Sequence, residues 1–158
     1  ILAYDPFVSE ESAKELGVKL VSFEELVCQS DYISVHCPLT AQTHHIVNED
    51  VLRAMKKTAF LINTSRGATV DTEALYRACR DGEIAGAAID VTEQEPLPAD
   101  SPLRTLSNLI ITPHIAWYTE EAIATLKEKL AQEIIRVYEG GQPINIVNRN
   151  SLKGMETK

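Results

Sequence analysis

Three residue types in this chain are suited to handling a small organic anion: the arginine at Arg66, the histidine at His114, and an acid from the pair Glu93 and Glu95. Each stands just beyond a short apolar run. Ala59-Phe60-Leu61-Ile62 breaks into Asn63-Thr64-Ser65-Arg66-Gly67, which reads as a buried strand delivering a guanidinium to the mouth of a sheet. That group keeps its charge and offers a planar fork matched to a carboxylate, although a surface ion pair is the commoner fate of an arginine. His114 follows Pro113 at the end of a strand, where an imidazole can enter a cleft and exchange a proton near neutral pH, or serve as a structural hydrogen-bonder. A carboxylate beside it would favour its protonated form. Glu95, stiffened by Pro96, and Glu93 are both placed for that, and sequence physics alone does not choose between them.

Two aspartates occupy similar positions. Asp5 ends an apolar run and precedes Pro6. An acid there can accept hydrogen bonds from both ribose hydroxyls of an adenosine and repel a 2′-phosphate, which favours NAD over NADP; otherwise it simply starts a loop. Asp90 can accept from an amide donor on a ligand, or act as a turn or capping residue. His44 and His45 lie in a polar loop and read as exposed or interface residues, because no third ligand stands near them to complete a metal site.

These residues need elements to hold them. Strands are expected at Ile1 to Asp5, Val18 to Val21, Tyr32 to Cys37, the run before Arg66, Ile84 to Val91 and Asn108 to Thr112. Helices alternate with them. Ser9, Ser22, Asn48 and Thr119 stand where N-caps belong, with acids in the first turn of each helix, and a further helix is expected over Asp71 to Arg80. The last helix, from Thr119, carries Ile123, Leu126, Leu130, Ile134 and Val137 on one stripe and stops at Gly140-Gly141. Pro143 to Val147 reads as an extended tail. Nearly all-apolar strands alternating with helices argue for a parallel sheet covered on both faces, whose ligands gather at the carboxyl ends of the strands. Asp5, His36, Arg66, Asp90 and His114 all fall there.

A chain of 158 residues with 44% hydrophobic content can build one core and should fold as a soluble body. A formal net charge of −8 with no basic cluster disfavours nucleic acid and membrane surfaces as partners. No apolar run approaches the roughly 20 residues that cross a bilayer. Cys28, Cys37 and Cys79 are odd in number and widely spaced, which suggests neither a disulfide framework nor a zinc site and fits a reducing, cytoplasmic setting.

Asn63-Thr64-Ser65-Arg66-Gly67, Gly86-Ala87-Ala88-Ile89-Asp90-Val91, Glu95-Pro96-Leu97 and Thr112-Pro113-His114-Ile115-Ala116 occur in that order. In these four motifs the chain resembles the D-isomer-specific 2-hydroxyacid dehydrogenases, specifically their carboxyl-terminal half. The resemblance implies catalytic roles for Arg66, Glu95 and His114, and selects Glu95 over Glu93 because the family's glutamate directly precedes this proline. It implies NAD as cofactor, with Asp5 at the adenosine ribose, His36, Cys37, Pro38 and Thr64 along the dinucleotide, and Asp90 at the nicotinamide carboxamide. It also implies hydride transfer to a small 2-oxo acid of the hydroxypyruvate, glyoxylate or phosphoglycerate class, and a homodimer. Trp117, where many relatives have a small residue, points toward the glycerate dehydrogenase or hydroxypyruvate reductase branch.

The departures carry expectations too. No G-x-G-x-x-G occurs in the chain, and in this family that loop lies just upstream of the strand at Ile1 to Asp5. The expected fold is therefore a Rossmann-like, doubly wound parallel α/β sheet lacking its first strand and Gly-rich loop, in a truncated chain. It divides into a partial NAD-binding domain over 1–115, a long helix and tail over 116–147 returning toward an absent substrate domain, and a frayed tail over 148–158. Such a chain alone is expected to bind NADH weakly and to lack activity. The alternatives are an NAD(H)-sensing binding or scaffold module, or an inactive fragment.

Overall fold

The computed structural model describes residues 1–147; the tail over 148–158 lies outside the described residues. The chain divides into two compact units, Ile1–Ala116 and the segment from Trp117 onward.

In the first unit six short strands alternate with helices. β1 (Leu2–Ala3) pairs in parallel with β2 (Lys19–Leu20), and α1 (Glu10–Glu15) connects them. A separate parallel ladder runs in the order β3 (Tyr32–Val35), β4 (Phe60–Asn63), β5 (Gly86–Ile89) and β6 (Leu109–Ile111). α2 (Phe23–Gln29) joins β2 to β3, while α3 (Glu49–Ala54) joins β3 to β4 and α4 (Thr72–Arg80) joins β4 to β5. The division into ladders of two and four strands matches the interrupted sheet expected from the sequence. The strands are shorter than the apolar runs suggested, because the residues at their carboxyl ends turn outward into loops.

The helices begin where residue type places their caps. Side chains of Ser9, Ser22, Asn48 and Asp71 accept hydrogen bonds from the backbone N–H three residues on, at 3.2, 3.1, 3.1 and 3.0 Å. Each satisfies a donor that the first helical turn cannot satisfy internally. After α4 the chain leaves through Gly82 at φ +67°, a conformation that costs glycine no Cβ clash.

The core lies on one face of the four-stranded ladder. Ile33, Val35, Leu61, Ala87 and Ile89 project into it and meet Leu52 and Met55 around α3, Leu75, Ala78 and Cys79 from α4, and Leu103 from the loop before β6. Leu52 and Leu61 are fully buried, and a leucine so placed contributes about 1.5–3 kcal/mol. Apolar runs suggest burial on both faces, but within this unit burial alternates along β3 and β4. Tyr32, Ser34, Phe60 and Ile110 are exposed on the opposite face. Successive crossovers of one hand, running steadily from β3 to β5, put α3 and α4 on the same side.

In the second unit α5 (Glu120–Tyr138) starts at Thr119, whose hydroxyl accepts from Ala122 N at 3.1 Å. Leu126, Leu130 and Ile134 of the expected stripe are exposed, as is Val137. The tail forms no strand among the described residues; Ile144 N donates back to the Glu133 carboxylate of α5. No helix among the described residues is long and apolar enough to cross a membrane.

Candidate active site

The arginine is held from beneath by a buried asparagine. Asn63, the last residue of β4, is 1% exposed, and its side-chain amide is used on both sides. Nδ2 donates to the carbonyl of Arg66 at 3.0 Å and to Thr69 Oγ1 at 3.3 Å, while Oδ1 accepts from Ser65 N and Oγ at 3.0 and 2.9 Å. Thr69 Oγ1 adds a 2.7 Å bond to the same Arg66 carbonyl. A buried amide with four satisfied contacts fixes the turn, so the strand ends abruptly and the Arg66 side chain stands exposed above it. Its Nη1 donates to Ser65 O at 2.7 Å, and among the described residues it pairs with no carboxylate. Gly67 brings this turn against the next one. A Cβ there would lie 2.0 Å from the carbonyl oxygen of Thr92, so only glycine permits the approach.

Asp90, just past β5, organises the turn that carries His114. It is 4% exposed, and its backbone N donates to Asn63 O at 2.9 Å. One carboxylate oxygen accepts from Thr112 Oγ1 and from Ile115 N at 2.9 Å, and the other accepts from Ala116 N at 2.8 Å. The carbonyl of Asp90 accepts from His114 N at 2.8 Å. Burial alone would raise this carboxyl, but the Thr112 hydroxyl and the backbone N–H groups of Ala116 and Ile115 outweigh it and hold Asp90 below the usual carboxylate range. The turn thus wraps a buried carboxylate, and His114 adopts φ +56°, a conformation rare for a residue with a Cβ.

The imidazole is then oriented by Glu95. His114 Nδ1 lies 2.8 Å from Glu95 Oε2, and Glu95 Oε1 accepts from Thr92 N at 3.1 Å. The histidine contact first, and the Thr92 N–H second, pull the Glu95 carboxyl below its usual value. With the carboxylate ionised, Nδ1 is the donor in this pair. Glu93 takes other partners: its Oε1 accepts from Thr72 N at 2.9 Å and its Oε2 meets His45 Nε2 at 3.1 Å. Geometry therefore separates two acids that residue chemistry alone left equivalent.

The remaining residues expected at the site lie at other strand ends. Asp5, beyond β1, is exposed; its Oδ1 accepts from Phe7 N at 2.8 Å in a turn, and Oδ2 accepts nothing among the described residues. Beyond β3, exposed His36 places Nε2 at 2.8 Å from Ser34 Oγ, and Cys37 is half-buried, with burial pushing its thiol up. The carbonyl of exposed Pro38 accepts from Thr43 Oγ1 at 2.6 Å, and Thr64 is exposed beside Arg66. Hydrogen bonds unite Asp90, Glu95 and His114, and the Gly67–Thr92 contact joins the Arg66 turn to the Glu95 loop. Asp5 and His36 to Pro38 share no hydrogen bond with that group among the described residues. Sequence reading did not single out Asn63, Thr69 or Thr112; a polar residue abruptly closing an apolar strand was the available signal. Among the described residues no cluster of His, Cys, Asp and Glu could hold a metal ion.

Donor chemistry along these strand ends suits a dinucleotide. An exposed acid with one open oxygen at Asp5, an exposed hydroxyl at Thr64 and polar backbone at 36–38 lie where doubly wound sheets hold nucleotides.

The carboxylates also set an acid limit on stability. Asp90, Glu93 and Glu95 are all lowered on folding, so they stabilise the fold above the ordinary carboxyl range, and that contribution is lost as pH falls through their folded values. The melting temperature is therefore expected to drop below about pH 4.5, and to drop less steeply in a Glu93→Gln, Glu95→Gln double variant. Parallel curves for the two proteins in pH-dependent thermal melts would contradict the assignment.

Residues 1–116 match the family model described as D-isomer specific 2-hydroxyacid dehydrogenase, NAD binding domain. A glyoxylate reductase of Korarchaeum cryptofilum is 46% identical over 153 residues, covering 97% of this chain and 46% of the relative. A D-3-phosphoglycerate dehydrogenase of Archaeoglobus fulgidus is 42% identical over 97% of this chain and 29% of its own length. The D-lactate dehydrogenase of Lactobacillus jensenii, solved with NAD+, superposes with a TM-score of 0.85 at 31% identity, covering 93% of this chain and 48% of that one. The chain spans less than half the length of these relatives. It belongs to the D-isomer specific 2-hydroxyacid dehydrogenase family, and residues 1–116 match that family's NAD binding domain.

Proposed function

We propose that this chain carries the nucleotide-binding and catalytic part of an NAD-dependent oxidoreductase that interconverts small 2-oxo acids and D-2-hydroxy acids, of the glyoxylate, hydroxypyruvate or phosphoglycerate class. The observation that carries the reading is the His114–Glu95 pair, locked by buried Asp90, beside a turn that presents Arg66 with no carboxylate partner among the described residues.

NADH, when bound, supplies the hydride that reduces the carbonyl carbon. Asp5 would hold the adenosine ribose and repel a 2′-phosphate, and Thr64 with His36, Cys37 and Pro38 would line the dinucleotide. Asp90 already serves three donors from the turn at 112–116 and keeps lone pairs for a carboxamide N–H. Arg66 receives the substrate carboxylate in its fork and polarises the neighbouring carbonyl. His114 gives its Nε2 proton to the carbonyl oxygen, while Glu95 stabilises the imidazolium before transfer and keeps the ring turned. Restored by solvent, the proton makes the cycle catalytic.

The unpaired Cys28, Cys37 and Cys79 support a reducing, cytoplasmic setting, and the family resemblance supports a homodimer. The test is NADH oxidation by the intact protein against a panel of 2-oxo acids. Turnover of glyoxylate, hydroxypyruvate or a phosphorylated relative is the expected result. No turnover, with NADH bound tightly, would favour a nucleotide-sensing scaffold instead. The 158-residue chain by itself is expected to bind NADH weakly in isothermal titration, for want of a glycine loop against the pyrophosphate, and tight binding would refute that dependence.

A further inference from the structure

Two non-glycine residues among those described have left-handed backbones, and both are histidines: His114 at φ +56° and His45 at φ +51°. Each meets an acid of the same short loop, His114 on Glu95 at 2.8 Å and His45 on Glu93 at 3.1 Å. The first pair belongs to the proposed proton transfer. The second has no part in it.

The surroundings of His45 give it a mechanical role. Its N donates to Ala68 O at 2.8 Å, Val47 N to Thr69 O at 3.0 Å, and Asp71 N to Val47 O at 3.0 Å, so residues 45–47 lie as an added strip beside the turn that follows Arg66. Val47 and Val70 form a parallel bridge there. The Thr92 carbonyl closes on Gly67 of the same turn. Glu93 spans the arrangement, accepting from Thr72 N at the start of α4 with one oxygen and meeting His45 with the other. Its carboxyl is opposed by burial, yet the Thr72 and His45 contacts hold it low and therefore ionised. Asp71 Oδ2, at 3.9 Å from His45 Nδ1, adds a second negative charge on the far side of the ring.

We propose that His45 and Glu93 are positioning residues: together they brace the Arg66 turn against the Thr92–Glu95 loop, so that the guanidinium and the His114–Glu95 pair address one substrate in fixed geometry. The proposal rests on the dehydrogenase reading above. Neither side chain need touch the substrate. Their effect passes through Gly67 to Arg66 on one side and through Thr92 to Glu95 on the other.

The experiment uses the intact protein with His45→Asn, Glu93→Ala and Glu93→Gln. Asparagine tolerates the left-handed backbone but is too short to reach Glu93, which separates the brace from backbone strain. Glutamine keeps an acceptor for Thr72 N and a partner for His45. The brace predicts that His45→Asn and Glu93→Ala raise KM for the 2-oxo acid about tenfold and lower kcat, with NADH affinity within about twofold of wild type, while Glu93→Gln recovers most of both. Unchanged KM and kcat in His45→Asn and Glu93→Ala, or a Glu93→Gln variant as impaired as Glu93→Ala, would overturn it. Amide hydrogen exchange gives a readout independent of turnover. Thr72 N and Val47 N should exchange about tenfold faster in His45→Asn and Glu93→Ala, and unchanged protection would also overturn the brace. A wild-type protein that reduces no 2-oxo acid would instead refute the dehydrogenase reading, leaving the brace to stand or fall on exchange.

Discussion

Replacing His114 with alanine is expected to lower the rate of 2-oxo acid reduction by about 10²–10⁴-fold, the usual worth of a positioned general acid, and to leave NADH affinity nearly unchanged. Glu95 holds the ring at Nδ1, and the His114 backbone is pinned by the bond from His114 N to Asp90 O. The alanine variant removes the proton donor but not the Asp90 contacts to Ile115 and Ala116, so the turn survives. Stopped-flow reduction measured beside NADH titration checks this. Loss of cofactor binding together with turnover would show that His114 supports the turn rather than the chemistry. Glu95→Gln should give a smaller loss, since glutamine can still accept from Nδ1 but no longer stabilises the imidazolium.

Replacing Arg66 with alanine is expected to raise KM for the 2-oxo acid and lower kcat, with a combined loss in kcat/KM of about 10²–10³-fold. On the proposed reading both parameters should change, because the fork would bind the carboxylate in the ground state and strengthen its hold as charge grows on the carbonyl oxygen. Arg66→Lys should recover only part of the loss: it restores a charge but not two parallel N–H donors. The fold should tolerate either change. Arg66 is exposed, and the bonds that shape its turn use its carbonyl, which every residue has, accepting from Asn63 Nδ2 and Thr69 Oγ1. Steady-state kinetics with thermal melts test both points. A normal KM in Arg66→Ala would remove the guanidinium from the substrate site.

Much of this arrangement is local chemistry and was legible in the residues. Helices start at Ser9, Ser22, Asn48 and Thr119 because short oxygen-bearing side chains satisfy the first N–H groups, and that depends on neighbours only three residues away. Strands in apolar runs, and chemistry at their carboxyl ends, follow from the β-α alternation in the same way. The motifs around Arg66, Glu95 and His114 pointed to the family that comparison establishes.

What the residues did not disclose depends on contacts between distant parts of the chain. Asp90 read as a possible ligand acceptor, yet its carboxylate is mainly spent on Thr112, Ile115 and Ala116, 22, 25 and 26 residues away. The alternating exposure of β3 and β4 depends on which face the crossovers choose.

By itself the sequence determined the strands, the caps and the positions where an arginine, a glutamate and a histidine leave the sheet. Tertiary structure decided how the two acids of one loop divide their partners, which residue chemistry left open and which the motif before Pro96 had indicated for Glu95. Glu95 reaches a histidine 19 residues on and Glu93 one 48 residues back, and only the packing of parallel strands, with Gly67 pressed against Thr92, brings those partners within hydrogen-bonding distance.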